Sequence, residues 1–268
     1  MRGRVGERIL WLVACAGLLG SVGALAALHG ERVVASYSTS LRGRSAGQVR
    51  NALRAAAAAD GAVIAPGAVF SFNERVGPWT ADAGYVKAPV SFGGELVPAW
   101  GGGVCQTSTT IYNAALLAGF EIVERHRHAW PTTYAPVGRD AAVAYGNLDL
   151  RFRNTLGVPA RLRVYRAGER LVCEIRARGR PEFSVRVVRN VHAVVPPALV
   201  IEDDPALPEG VRQVVCAGRP GYTVSVVRAF YRDGEEVRSE RISLDSYPAM
   251  HRVIRVGTGR GAGGRSPQ

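Results

Sequence analysis

Apolar and polar positions fall into three regimes along this chain. From Ile9 to Leu28 the run ILWLVACAGLLGSVGALAAL carries no charge, and its length is near the about 20 residues that cross a bilayer. Residues 31–178 then mix two periods. Residues 32–37 read as a short strand, and Ser45 caps a helix that runs through Val49, Leu53 and the alanines 55–59 and closes at Gly61. Pro66-Gly67 marks a turn, Val69, Phe70 and Phe72 a strand end, and Asn73 with Gly77-Pro78 a loop. Residues 84–98 form two strands about Gly93-Gly94. Ile111, Ala114, Ala115 and Ala118 recur at i, i+3, i+4 and i+7, the stripe of a helix that Gly119 ends. Phe120, Ile122 and Val123 read as a strand that delivers His126 and His128. Residues 134–154 alternate in pieces, and residues 159–177 are a hairpin turning at Ala167-Gly168-Glu169. Beyond Pro181 no helical period is left; strands are expected at 185–188, 211–215, 222–230, 236–242 and 253–256, with glycine between them.

The pattern predicts an α+β domain, with helices packed on short, mostly antiparallel strands, followed by a small all-β module. The segments are 1–30 (signal anchor or signal peptide), 31–178 (the α+β domain), 182–258 (the all-β module) and 259–268 (a flexible tail).

Charge and cysteine content place the protein. Arg2, Arg4 and Arg8 precede the first apolar run, which keeps the N-terminus inside and sends the rest out. A membrane anchor is the first reading, and cleavage near Ala24-Leu25-Ala26 is the alternative. Leu12-Val13-Ala14-Cys15 has the outline of a lipoprotein cleavage site, but the hydrophobicity continues past it. The formal net charge of +12 comes almost wholly from arginine, with Lys87 the only lysine. These arginines are scattered, with no basic and aromatic face of the kind nucleic-acid readers use, so no nucleic acid is expected. An anionic wall polymer remains compatible with the sign. Outside the apolar run stand Cys105, Cys173 and Cys216, an odd number; Cys173 and Cys216 sit in apolar strand patterns, with a disulfide between them left open.

The chemistry concentrates between Ala99 and Trp130. Three glycines (Gly101, Gly102, Gly103) lead into Cys105 at a helix start, where unpaired amides and the helix dipole favour thiolate. A cysteine on a helix N-terminus, a histidine on the next element and an acid after it is the order used by papain-like and transglutaminase-like enzymes. The assignment is Cys105 as nucleophile, His128 as base, and Asp149 or Asp140 orienting the imidazole, with Gln106 or backbone amides holding an oxyanion. The structural alternative has Cys105 filling a gap beneath close-passing glycines, in a domain that binds wall polymer or a partner protein. A metal reading pairs His126 with His128 at i, i+2, joined by Cys105 or Asp140, but the spacing matches no established ligand pattern. No metal or cofactor is expected. Asn73 and Glu74 are candidates to line a cleft.

Residues from about 36 to 176 resemble the VanW family, through Pro66-Gly67-x-x-Phe70-Ser71-Phe72-Asn73, GGGVCQTSTTIYNAAL at 101–116, GFEIVERHRHAW at 119–130 and YAPVGRDAAVAYGNLDLRFRN at 134–154. That family is linked to glycopeptide (vancomycin) resistance and to bacterial cell envelopes, and the resemblance implies no particular reaction. Residues from about 184 to 258 resemble the extracellular five-glycine (G5) module, with Gly210, Gly218, Gly221, Gly234 and Gly257 in place. This second resemblance implies binding to N-acetylglucosamine-containing glycans, peptidoglycan among them. The expected protein is exported, membrane-anchored and wall-binding. The alternative is a cysteine-dependent amide hydrolase or transferase acting on peptidoglycan stem peptides.

Overall fold

The computed structural model describes residues 30–92 and 95–259. The expected anchor at 1–30 and tail at 259–268 lie essentially outside the described residues, as does the Gly93-Gly94 turn. Among the described residues no helix is long and apolar enough to cross a membrane.

The first domain is built on a four-stranded antiparallel sheet in the order β1-β9-β8-β2, from β1 (Arg32–Ser40), β2 (Val63–Ile64), β8 (Ala160–Ala167) and β9 (Arg170–Ala177). Strand β9 alternates strictly, with Leu171, Cys173, Ile175 and Ala177 turned inward, the period-two signature of a sheet with one covered face. Two helices cover it. Helix α1 (Ala46–Ala59) starts at Ser45 in a complete capping box with Gln48, and its alanines Ala52, Ala55, Ala56 and Ala59 are buried. Small side chains on that stripe let the helix lie close against its neighbours. Helix α3 (Val104–Leu117) packs on α1, β1 and β9.

Helix α3 ends in a Schellman motif. Gly119 adopts φ +79°, its amide donates to Leu116 and the Phe120 amide donates to Ala115, as a glycine one residue past the cap allows. A small sheet, β3-β7-β6, joins β3 (Val69–Ser71), β7 (Arg151–Arg153) and β6 (Glu121–Glu124), with Phe70, Phe152 and Phe120 stacked at its centre. Strands β4 (Lys87–Phe92) and β5 (Glu95–Trp100) form the expected hairpin.

Two local expectations change in the first domain. Phe72–Val76 is a short helix, α2, rather than a strand end and loop. Ser71 caps it by accepting the Glu74 amide, and a five-residue helix carries too little periodicity to be read from sequence. Most of 134–150 is loop held by two isolated bridges, His126 with Ala142 and Ala144 with Leu148.

The C-terminal part is all strand. One antiparallel sheet has the order β10-β13-β14, from β10 (Ser184–Val195), β13 (Gly221–Arg232) and β14 (Glu235–Tyr247). The other has the order β11-β15-β12, from β11 (Leu199–Pro208), β12 (Arg212–Arg219) and β15 (Met250–Gly259), with β11 parallel to β15. Strand β11 had no counterpart among the expected strands; its EDDP run hides the period. The first sheet docks on the α+β domain, where Arg228, 3% exposed, donates to the carbonyls of Leu116 and Phe120 at the end of α3 and pairs with Glu240.

Candidate active site

The three glycines are required by contact. A Cβ on Gly102 would lie 2.5 Å from the Ala88 carbonyl oxygen, and one on Gly103 would strike the carbonyl of Gln48. The helix start is thereby pressed between β4 and α1. Buried Asn51 ties the junction, donating to the carbonyls of Val86 and Gly102 and accepting the Val86 amide. Gly103 is the N-cap at φ +109°, so Cys105 occupies the first turn of α3 and is partly exposed. Its thiol stands at the positive end of the helix dipole.

The polar residues after Cys105 do not face water. Ser108 donates to the Ala141 carbonyl at 2.6 Å, Thr109 accepts the Ala141 amide at 3.0 Å, and Asn113 exchanges hydrogen bonds with Arg139. Each satisfies a buried group that would otherwise be costly, and together they fix the 139–143 segment against the helix. Through them Asp140 and Val143 are held relative to Cys105, whose Sγ lies 3.5 Å from the Val143 carbonyl oxygen.

His128 lies between the thiol and Asp140. Its Nδ1 and its backbone amide both donate to Asp140 Oδ2 at 2.7 Å, and its ring stands near enough to Cys105 for the two groups to shift each other's titration. Burial opposes charge on all three groups, yet the mutual contacts outweigh it. The Asp140 carboxyl falls to about 2, with the His128 hydrogen bond and charge and then Arg125 overcoming burial. The His128 imidazole rises to about 10, with Asp140 and the thiolate overcoming burial. For Cys105, burial pushes the thiol up, but the hydrogen bond and charge of His128 and the Val143 backbone bring it below its ordinary value. These shifts favour the charged forms of the thiol and the imidazole beside the Asp140 carboxylate.

The remaining candidates sit elsewhere. Asp149 accepts from the Ser71 hydroxyl at 2.5 Å and from the amides of Asn73 and Leu150; it anchors the start of α2, and the acid that meets His128 is Asp140. Gln106 is buried and donates to Thr39 and to the Ser40 carbonyl, so its amide is committed away from the thiol. His126 bonds Glu124 at 2.9 Å with no link to His128, because β6 ends at Glu124 and His128 is drawn to Asp140 instead. Among the described residues no group of three metal-ligating side chains could hold an ion. Asn73 donates to the carbonyls of Ala144 and Leu148, while Glu74 is exposed. Cys173 and Cys216 are both free, Cys173 buried in β9 of the first domain and Cys216 half-buried in β12 of the second.

Sequence reasoning missed three participants. The Tyr134 hydroxyl stands 3.5 Å from His128 Nε2, and its ring meets the imidazole edge to face. Arg125 and Tyr247 both reach Asp140 Oδ1. Tyr134 and Arg125 fall inside the recognisable segments; nothing local marks Tyr247, which is 107 residues from Asp140.

A family model described as VanW like protein matches residues 47–176, and a G5 domain model matches residues 187–259. YoaR of Bacillus subtilis, described as an uncharacterized protein, is 35% identical over 165 residues, covering 59% of this chain and 54% of its own length. The vancomycin B-type resistance protein VanW of Enterococcus faecalis is 28% identical over 148 residues, covering 53% of this chain and 54% of its own. The chain thus spans about half the length of the curated relatives it matches. A solved IgA1 protease G5 domain is 28% identical, the match covering 31% of this chain and 98% of that one at a TM-score of 0.23. By these matches residues 47–176 are similar to the VanW family and residues 187–259 to the G5 domain.

Proposed function

We propose that this is an extracytoplasmic, cell-wall-associated protein whose VanW-like domain is a thiol-dependent amide hydrolase or acyl transferase, with Cys105 as nucleophile. One observation carries the reading: beside Cys105, in the first turn of α3, stands an imidazole held by a buried, ionised Asp140. A cysteine that merely fills a gap has no use for such a partner, and Cys173, whose thiol burial pushes well up, shows what a structural cysteine looks like in this fold.

In the proposed reaction the Cys105 thiolate adds to an amide carbonyl carbon, forming a C–S bond and an oxyanion held by the Cys105 backbone amide in the first helical turn. The His128 imidazolium gives its proton to the departing amine as the C–N bond breaks, leaving a thioester. Water or an acceptor amine then attacks the thioester, His128 takes the incoming proton, and the thiolate is restored. Asp140 stays ionised throughout and holds the imidazole with Nδ1 protonated, leaving Nε2 to give and take the proton. The wall setting suggests peptidoglycan stem peptides as the amide. Glycan binding by the G5 domain, and membrane attachment through the N-terminal apolar run, would keep the site at the polymer.

The test is to incubate the protein with purified peptidoglycan fragments and follow Cys105 and the fragments by mass spectrometry. The reading expects an acyl adduct on Cys105 and cleavage or exchange of an amide, both absent in Cys105→Ala and His128→Ala, while sedimentation with intact wall is kept. An unreactive Cys105 and wall binding without amide turnover would leave the wall-glycan binder alone.

A further inference from the structure

Asp140 has two carboxylate oxygens, and the two domains share them. Oδ2 accepts both bonds from His128. Oδ1 accepts from the Tyr247 hydroxyl at 2.5 Å and from Arg125 Nη2 at 3.2 Å. Tyr247 is the last residue of β14, in the G5 domain. Its hydroxyl in turn accepts the Gly138 amide at 3.1 Å, two residues before Asp140. Arg125 donates from Nε to the Asp140 carbonyl at 2.7 Å, and its Nη1 meets both carboxylate oxygens of Asp245, also at 2.7 Å and also on β14. Ser243 of the same strand donates to Asp245.

These groups are shielded: the side chains of Arg125, Asp140 and Asp245 are 7%, 2% and 10% exposed, and Tyr247 is 2% exposed. Apolar packing accompanies them, with Gly138 against Val224 and Val226 of β13. A charged cluster so far out of water holds its geometry only if each member keeps its partners. Removing the G5 strand would therefore strip a hydrogen bond from Asp140 and leave Arg125 without its second carboxylate.

We propose that Tyr247 and Asp245 are positioning residues of the Cys105 site, so that the G5 domain completes the site as well as reaching for the wall. The proposal rests on the thiol reading above. Tyr247 fixes the carboxylate plane; Asp245 draws part of the Arg125 charge away from Asp140, leaving the acid free to hold His128. The other charged or titratable groups facing the cluster are Cys105 from α3, Tyr134 beside the imidazole, Tyr112 under Arg125, and Arg127 over the Tyr247 ring.

The experiment uses the full chain, reading iodoacetamide modification of the Cys105 peptide against pH by mass spectrometry, and the His128 ring titration by NMR. Tyr247→Phe removes one oxygen and keeps the ring. Its expected result is Cys105 modification slowed about threefold near pH 6, the low end of what one hydrogen bond contributes. The same change moves the His128 titration downward. Asp245→Asn keeps the side-chain size and should also lower the His128 titration, since Arg125 then turns wholly to Asp140; it stands in if Tyr247→Phe does not fold. Tyr231→Phe, on the exposed part of the same sheet, is the control. A reactive wild-type thiol whose pH profile and His128 titration are unmoved by both changes would overturn the positioning role while keeping the thiol site. A wild-type Cys105 with ordinary, slow reactivity would overturn the underlying reading instead.

Discussion

Asp140→Asn is the change that separates a catalytic constellation from a structural one. The carboxylate is nearly inaccessible and accepts from the His128 ring and backbone, Arg125 and Tyr247. Its carboxyl drops from 3.8 to about 2 on folding, which is worth about 2 kcal/mol of native stability at neutral pH. A depressed acid stabilises the fold fully above its unfolded value, near 4, and that contribution is lost as the pH falls toward about 2. Urea unfolding of wild type and Asp140→Asn should therefore differ by about 2 kcal/mol at pH 7 and converge in strong acid. The thiol should respond as well. Without the anionic partner the imidazole loses its hold on a proton, the Cys105 thiolate loses its counter-ion, and alkylation slows at mildly acid pH. Asp149→Asn supplies the contrast, since that carboxylate serves Ser71, Asn73 and Leu150; it should cost stability and leave the Cys105 profile where it was. If Asp140→Asn lowers stability but leaves thiol reactivity unchanged, the imidazole does not transmit the charge and the site reading is refuted.

Three further outcomes rest on other contacts of the fold. His128 rises to about 10, so its contribution is complete below its unfolded value, near 6.5, and is lost as pH climbs through that range; Cys105→Ala should weaken this alkaline loss in a denaturation series against pH, because the thiolate is one of its causes. Gly102→Ala forces a methyl onto the Ala88 and Pro89 carbonyls and should cost about 3 kcal/mol or more, since backbone cannot step aside as a side chain can; thermal melting and Cys105 alkylation should fall together. Arg228→Met leaves the carbonyls of Leu116 and Phe120 without their donor and should cost about 2 kcal/mol, with faster proteolysis between residues 178 and 184 as the sign that the second domain has loosened.

Much of this was legible in the chain itself. Ser45 with Gln48, the i, i+3, i+4 stripe of α3, Gly119 as its terminator and the 159–177 hairpin are local signals, settled by propensity and by backbone geometry within a few residues. Cys105 and His128 were legible for the same reason: a glycine turn before a helix and a histidine beyond the next strand are features of neighbouring residues. Which acid serves the imidazole was not. Asp140 and Asp149 are separated by nine positions of irregular chain, and the choice is made by Ser108, Thr109 and Asn113 of α3, whose polar side chains grip 139–141 while Ser71 and Asn73 claim Asp149. Gln106 likewise turned inward to Thr39 because its helix is buried on nearly every side. Tyr247 and Asp245 lie deepest in this category. Their place at the site depends on how one sheet docks against another domain, a contact across more than a hundred residues that no periodicity encodes, and only the packed structure brings the hydroxyl to the carboxylate.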